Sequence, residues 1–282
     1  KSNLSGRLNM QNLSYESVTT ARGRVGYVTT GSGYPLILIV GYSGTLFHWN
    51  RSFINKVAES FKLYLIDNRY IGKSISTNEN TINGMAQDVI DFIEAMQIVK
   101  PIIFGWSMGG VITQQLLVNY QYNLAGAVLF ATTYDQKLIS ADFVELIANQ
   151  EHIPPHEFKR QLYATFFSED DSDKIKLTIK DGAILIDDYN YRYNFEAKEL
   201  QDTAVESWVR IELSQLNQIL LPVLVMRAKN DLVVDSSVIE YFTHNLPNAK
   251  AIIYPSGGHF FLHKSPLQIA SDIANFFINQ SI

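Results

Sequence analysis

The segment Ile102-Ile103-Phe104-Gly105-Trp106-Ser107-Met108-Gly109 is the most informative part of the sequence about the fold. Its first three residues form a short apolar run that predicts a strand, Gly105 to Gly109 has the form G-x-S-x-G, and a helix is predicted over residues 109–120. The glycines permit a sharp turn and let the helix approach the strand, which leaves the Ser107 hydroxyl standing at the carboxyl end of the strand. The stretch therefore predicts a strand–turn–helix unit that presents a serine able to act as a nucleophile.

On both sides of this unit, apolar runs of strand length alternate with segments of helical periodicity. The predicted strands are 36–40, 61–66, 102–104, 125–131, 223–226 and 252–254. The predicted helices are 82–96, 109–120 and one that starts at Ser265-Pro266. Residues 15–20 and 24–30 flank a short turn with Gly23, which predicts an antiparallel hairpin. Continuous apolar runs are typical of strands buried on both faces, so the fold class is α/β with a mostly parallel sheet.

The interval 132–216 interrupts this alternation. We interpret it as an insertion, and residues 1–131 and 217–282 as the α/β core that carries it. Within the insertion, Lys-Asp-Gly-Ala at 180–183 is flanked by apolar residues and is typical of a hairpin turn.

Composition excludes several classes of protein. The chain has 282 residues, 46% of them hydrophobic, a formal net charge of −5 and no cysteine. It lacks the basic surface that nucleic-acid binding requires, and its apolar runs are too short to span a bilayer, so a soluble protein is expected. Disulfides, thiolate zinc sites and a cysteine nucleophile are excluded. A start at Lys1 without an apolar segment leaves both the cytoplasm and export after processing open.

The motifs resemble those of a known superfamily. The G-x-S-x-G segment after a strand is similar to the nucleophile elbow of the α/β-hydrolases, and the chain resembles their esterase-like branch with a cap domain. Residues 67–74 are similar to the family's D-x-R-G-x-G-x-S loop, with Tyr70 in place of the first glycine, and take no catalytic role. Val40-Gly41-Tyr42 resembles the oxyanion loop, with Val40 in the usual histidine position. The resemblance implies an oxyanion hole formed by the backbone amides of Tyr42 and Met108.

The resemblance also implies a catalytic triad in the chain order serine, acid, histidine. Ala228-Lys229-Asn230-Asp231 follows a predicted strand and resembles the family's G-x-x-D, which makes Asp231 the acid. Gly257-Gly258-His259 precedes the last helix, which makes His259 the base. In this arrangement His259 takes the proton of Ser107, and Asp231 orients and stabilises the imidazole. Asp135 is the competing acid, because some members of the superfamily carry it after that earlier strand.

The remaining histidines are interpreted as loop or structural residues: His48, His152, His156, His244 and His263. His263, four residues after His259, is expected to face solvent. His152, His156 and Glu157 lack a third convergent ligand, and Pro154-Pro155 intervenes, so neither a metal nor another cofactor is expected.

Trp106 and Phe260 adjoin motif residues and are predicted to line the substrate pocket. On this hypothesis, Trp106→Ala changes preference for acyl length more than it changes stability.

The function that the sequence predicts is hydrolysis of a carboxylic ester of a small or medium acyl substrate through an acyl-enzyme, as in a carboxylesterase. The same triad cleaves amides, thioesters, lactones and carbon–carbon bonds, so fold alone does not choose the bond. A non-catalytic member of the fold that binds a ligand is the alternative from another class. Epoxide hydrolases and haloalkane dehalogenases are excluded, since they carry aspartate where this chain has Ser107. The natural substrate and the oligomeric state stay open.

Overall fold

A computed structural model describes residues 12–169, 171–189 and 195–280. The ends of the predicted core, residues 1–11 and 281–282, lie outside the described residues. The strands are β1 (Leu13–Thr20), β2 (Gly23–Thr30), β3 (Tyr34–Ile39), β4 (Phe61–Ile66), β5 (Ile75–Ser76), β6 (Ile102–Trp106), β7 (Gly126–Phe130), β8 (Ile186–Asp187), β9 (Val223–Ala228) and β10 (Ala249–Tyr254).

The helices are α1 (Arg51–Val57), α2 (Ile82–Ala95), α3 (Met108–Asn119), α4 (Ala141–Ala148), α5 (Pro155–Phe167), α6 (Ser172–Gly182), α7 (Phe195–Glu206), α8 (Leu213–Leu216), α9 (Val238–Asn245) and α10 (Pro266–Ile278). Short 3₁₀ turns lie at Leu46–His48, Gln121–Asn123, Gln136–Leu138, Gln150–His152 and Gly258–His263.

The strands form one mostly parallel sheet in the order β10-β9-β7-β6-β3-β4-β2-β1-β8, with β5 paired to β2. Neighbours from β10 to β4 are parallel, whereas β2 runs antiparallel to both β1 and β4. The expected α/β architecture and its opening hairpin are confirmed. Because the parallel strands all end at one edge, the loops that follow β3, β6, β7 and β9 lie together there.

Helices cover both faces of the sheet. Successive side chains of β3 point to opposite faces, so each face needs a layer of helices to bury them. Leu36 and Leu38 pack into a core with residues of α1 and α10, whereas Ile37 and Ile39 pack into a second core with α2, α3 and α9. All four are fully buried, which explains a continuous apolar run in place of a polar–apolar alternation.

The insertion between β7 and β9 is mostly helical and contains α4 to α8. The expected hairpin turn at 180–183 is wrong, since Lys180 to Gly182 form the last residues of α6 and Ala183 is its C-terminal cap. The one strand described within the insertion, β8, pairs with β1 in parallel, Leu13 opposite Ile186. The boundaries of the insertion, at residues 132 and 216, stay a prediction. Over the described ranges, no helix is long and apolar enough to cross a membrane.

Candidate active site

Ser107 occupies a strained turn between β6 and α3. Its backbone has φ 56° and ψ −118°, a conformation that L-residues rarely adopt. The neighbouring glycines explain how the turn is accommodated, because a Cβ at Gly105 would overlap the carbonyl of Gly109 and one at Gly109 would overlap that of Ile39. The loop after β3 comes equally close, since a Cβ at Gly41 would lie 2.9 Å from the Cβ of Ser107. The half-buried serine therefore faces the predicted oxyanion loop.

The backbone around Ser107 is held by hydrogen bonds to the neighbouring strand and the segment that follows it. The Ser107 N–H donates to the carbonyl of Phe130 at 2.9 Å, and the Thr132 hydroxyl donates to the carbonyl of Ser107 at 2.7 Å. Met108 is the first residue of α3, so its amide has no acceptor within its own helix. This leaves the Met108 N–H at the positive end of the helix dipole, beside the serine.

Asp231 and His259 are brought together from the loops after β9 and β10. The Nδ1 atom of His259 lies 2.9 Å from Oδ2 of Asp231, and both side chains are buried. The other carboxylate oxygen accepts the backbone N–H groups of Val233 at 2.7 Å and Val234 at 3.2 Å. Burial acts to raise the pKa of Asp231, but His259 and these two amides outweigh it and lower the pKa below its usual value. The carboxylate is therefore ionised and fixed in orientation.

Asp135, the competing candidate for the acid, has other partners. Asp135 caps a short 3₁₀ turn by accepting the Lys137 N–H at 3.0 Å, and its carboxylate lies 3.6 Å from Arg210.

The expectation that His263 faces solvent is wrong. It is partly buried, and its Nε2 lies 3.0 Å from the carbonyl of His48. Burial, with a smaller contribution from His48, lowers the pKa of His263 to about 4. The imidazole is therefore neutral, and its ring packs against Phe260 with ring centroids 5.7 Å apart.

Asp202 and Gln201 of helix α7 contact the predicted oxyanion loop, and Lys198 of the same helix pairs with Asp202; no sequence pattern pointed to these three residues. The Tyr42 hydroxyl donates to the carboxylate of Asp202, which also pairs with Lys198 at 2.7 Å. The Ser43 N–H donates to Oε1 of Gln201 at 2.7 Å. Lys198 and Asp202 are four residues apart, a spacing that indicates a shared helix face, but nothing in the sequence indicates that this face meets the Tyr42 loop.

Trp106 and Phe260 line a cavity together with Ser107 and His259. The two rings lie edge to face, with centroids 5.0 Å apart. Trp106 is only 2% exposed and also contacts Trp49 and Phe130, so its ring belongs to the core as much as to the cavity. Trp106→Ala is therefore expected to lower the stability of the protein substantially, because removing a buried indole leaves a large void.

Asp67, at the start of the 67–74 loop, lies in a buried hydrogen-bonded cluster. Its two carboxylate oxygens accept the hydroxyl of Tyr15 at 2.6 Å and that of Tyr189 at 2.9 Å. Burial raises the pKa of Asp67 to about 7, although the hydrogen bonds from both tyrosines oppose the shift. Because Tyr189 belongs to the insertion, this cluster ties the insertion to the core.

The described residues contain no group of three or more histidine, aspartate or glutamate side chains that could hold a metal ion. His152 ends a short 3₁₀ turn, while Glu157 lies in the first turn of α5 and pairs with Arg160 at 2.9 Å.

Comparisons with known proteins agree with this architecture. The family model of the alpha/beta hydrolase fold matches residues 34–266. A protein of Mycobacterium tuberculosis that carries the provisional name non-heme bromoperoxidase BpoC is 23% identical over 89% of this chain and 96% of its own. The pimeloyl-[acyl-carrier protein] methyl ester esterase of Nitrosomonas europaea is 22% identical over 86% and 95%. Among solved structures, an alpha/beta hydrolase fold protein from Chitinophaga pinensis superposes with a TM-score of 0.81, at 22% identity over 94% of this chain and 97% of that one.

Proposed function

The chain belongs to the α/β-hydrolase family, and on this basis we propose that it is a serine hydrolase that cleaves a carboxylic ester through an acyl-enzyme. The observation that carries the proposal is the buried 2.9 Å contact between His259 Nδ1 and Asp231 Oδ2, with His259 lining the same cavity as Ser107. A carboxylate that fixes one nitrogen of an imidazole leaves the other nitrogen to accept a proton from a serine hydroxyl.

Each residue takes one role in the proposed reaction. Nδ1 of His259 donates a hydrogen bond to Asp231. Nε2 of His259 accepts the proton of the Ser107 hydroxyl while Oγ of Ser107 forms a bond to the ester carbonyl carbon. The carbonyl π electrons move to the oxygen, which the amides of Met108 and Tyr42 stabilise. When the carbon–oxygen bond to the alcohol breaks, Nε2 returns the proton to the leaving oxygen. Water then repeats the sequence on the acyl-enzyme and releases the acid and Ser107.

Two observations favour an ester over the other bonds that this triad cleaves. The Nitrosomonas europaea relative is named as a methyl ester esterase, which is said of that protein and supports the same class here. The cavities beside Ser107 are lined largely by apolar side chains, which suits an uncharged ester better than a polar peptide.

The proposal is tested by treating the protein with a fluorophosphonate and measuring its intact mass. This reagent phosphonylates an activated serine without requiring knowledge of the substrate. One adduct is expected on the wild type and none on Ser107→Ala. Ser60→Ala is the matched control and keeps the adduct, because Ser60 is exposed just before β4, at the opposite edge of the sheet. A folded wild-type protein without an adduct would overturn the proposal in favour of a ligand-binding role.

A further inference from the structure

Two cavities meet at Ser107. The larger has a volume of about 320 Å³ and the smaller about 190 Å³. Both are lined by Tyr42, Ser107, Phe143, Ile147 and Lys198. A carbonyl carbon attacked by Ser107 carries one substituent on each side, so each cavity is available to one half of an ester.

The apolar part of the wall of the larger cavity is chiefly aliphatic. It includes Val111, Ile139, Val144, Val205, Val233 and Val234. The volume of this cavity, about 320 Å³, lies at the lower end of the range of about 300–1,000 Å³ that is typical of small-molecule sites. Lys198 and Asp202 also line the cavity and form a 2.7 Å ion pair, while its polar lining residues further include Thr132, Thr133, Gln136 and the exposed Glu206. These features suit a flexible hydrocarbon chain.

The walls of the smaller cavity are chiefly aromatic. They include His48, Trp106, Phe158, Phe166 and Phe260. Phe166, from α5 of the insertion, stacks on Phe260 with ring centroids 4.4 Å apart and an interplanar angle of 12°. At about 190 Å³ this cavity has a little over half the volume of the larger one. Its aromatic walls favour offset or edge-on contacts with an aromatic ring of the substrate.

The position of His259 distinguishes the two cavities. Among the described residues, His259 lines the smaller cavity and is absent from the walls of the larger one. The proton acquired from Ser107 has to reach the leaving oxygen, and a general acid acts only within hydrogen-bond distance. The alcohol half of the ester therefore belongs on the His259 side, and the acyl half on the other.

We propose that the larger aliphatic cavity binds the acyl chain, that the smaller aromatic cavity binds the alcohol, and that the substrates are esters of medium-length aliphatic acids with aryl or arylalkyl alcohols. This inference rests on the proposed ester hydrolysis. The bonds made and broken are those of the acyl-enzyme cycle, with the proton of Ser107 passing through His259 to the aryl or arylalkyl oxygen.

The test uses two ester series and a matched pair of variants. One series varies the acyl chain from acetyl to dodecanoyl at constant phenol, and the other varies the alcohol from methanol to 2-phenylethanol at constant hexanoate. Val144→Trp, on α4, narrows the larger cavity, and Leu162→Trp, on α5, narrows the smaller one. Leu177→Trp, on α6, is the control, since Leu177 is exposed and lines neither cavity.

Each of the two cavity variants is expected to change the relative kcat/KM values within one ester series only. Val144→Trp lowers kcat/KM for the decanoyl relative to the acetyl ester about ten-fold or more, with the alcohol preference unchanged. Leu162→Trp lowers kcat/KM for the 2-phenylethyl relative to the methyl ester by a similar factor, with the acyl preference unchanged. Phe158→Ala provides an independent variant in the smaller cavity and shifts the preference towards larger alcohols.

The outcomes distinguish a failure of the cavity assignment from a failure of the proposed ester hydrolysis. If Val144→Trp changes alcohol preference and Leu162→Trp changes acyl preference, or if each changes both series equally, the assignment of the cavities is overturned while ester hydrolysis stands. If the wild type hydrolyses no ester in either series and takes no fluorophosphonate adduct, the proposed function fails as well.

Discussion

The backbone N–H of Ser43 donates a 2.7 Å hydrogen bond to the side-chain oxygen of Gln201, which lies 158 residues further along the chain. Ser43 directly follows Tyr42, whose amide is one of the two proposed oxyanion donors. Gln201 is 1% exposed and belongs to α7 of the insertion. An oxyanion donor acts only if it is held in place before the reaction, so the insertion positions part of the proposed catalytic apparatus as well as covering it.

Replacing Gln201 tests this positioning role. Gln201→Met removes the acceptor while keeping a side chain of similar length. We expect kcat for ester hydrolysis to fall about ten-fold with KM nearly unchanged, because the Tyr42 amide is displaced but not removed. Gln201→Glu keeps an acceptor oxygen and is expected to retain more of kcat than Gln201→Met. Equal losses in the two variants, or a rise in KM alone, would argue against a positioning role.

Asp231→Asn tests the choice of acid. Asparagine keeps the shape of the side chain but does not stabilise the charged imidazolium and favours the wrong tautomer of His259. We expect kcat to fall about 10⁴-fold. The matched control is Asp135→Asn, for which kcat is expected to stay within about two-fold of the wild type. A large loss in the control with little effect at Asp231 would reverse the assignment.

The buried Asp67 predicts a specific dependence of stability on pH. Its pKa is about 7 in the folded protein against a reference value of 3.8, so between these values the folded chain holds a proton that the unfolded chain releases. The stability that Asp67 contributes is therefore complete below about pH 4 and is lost as pH rises through about 7. The loss amounts to about 4 kcal/mol, at about 1.4 kcal/mol for each pKa unit.

Asp67→Asn removes this titration. Urea unfolding of the wild type and of the variant, measured from about pH 4 to about pH 9, gives the difference in unfolding free energy. That difference is expected to become steadily less favourable to the wild type as pH rises, and to level off above about pH 8. A difference that does not change with pH would show that Asp67 titrates at an ordinary pKa.

Trp106→Ala is expected to lower the unfolding free energy by about 3–5 kcal/mol, because the indole is buried among the rings of Trp49, Phe130 and Phe260. Chemical denaturation measures the loss. Phe260→Ala is the comparison, since Phe260 is 7% exposed and stacks on Phe166 of the insertion. A loss below about 1 kcal/mol for Trp106→Ala would show that the ring contributes little to the core and that the substitution acts chiefly on substrate preference.

Local patterns predicted most of the core elements. The apolar runs at 36–40 and 102–104 became β3 and β6, and the periodic segment at 82–96 became α2. Such predictions succeed because the period of the apolar positions depends on local backbone geometry. The hairpin expected at 180–183 failed because a glycine at a change of chain direction does not distinguish a hairpin turn from the end of a helix, and here Gly182 is the last residue of α6.

The walls of the cavities were much less predictable. Trp106 and Phe260 were found because they adjoin motif residues, whereas Phe166 and Val144 come from helices of the insertion that no motif marks. Apolar residues at helical spacing indicate a buried face but do not indicate the surface against which that face packs.

Local patterns were sufficient to predict the parallel strands, the serine turn and the candidates Ser107, Asp231 and His259, because short-range periodicity and glycine-dependent turns are encoded within a few residues. Long-range packing paired His259 with Asp231 and not with Asp135, placed His263 against His48, and brought Gln201 to the Ser43 amide. Each of these contacts joins segments whose relative placement depends on how helices and loops pack over the whole chain. A side chain's partner and its pKa are set by that packing, which no local pattern contains.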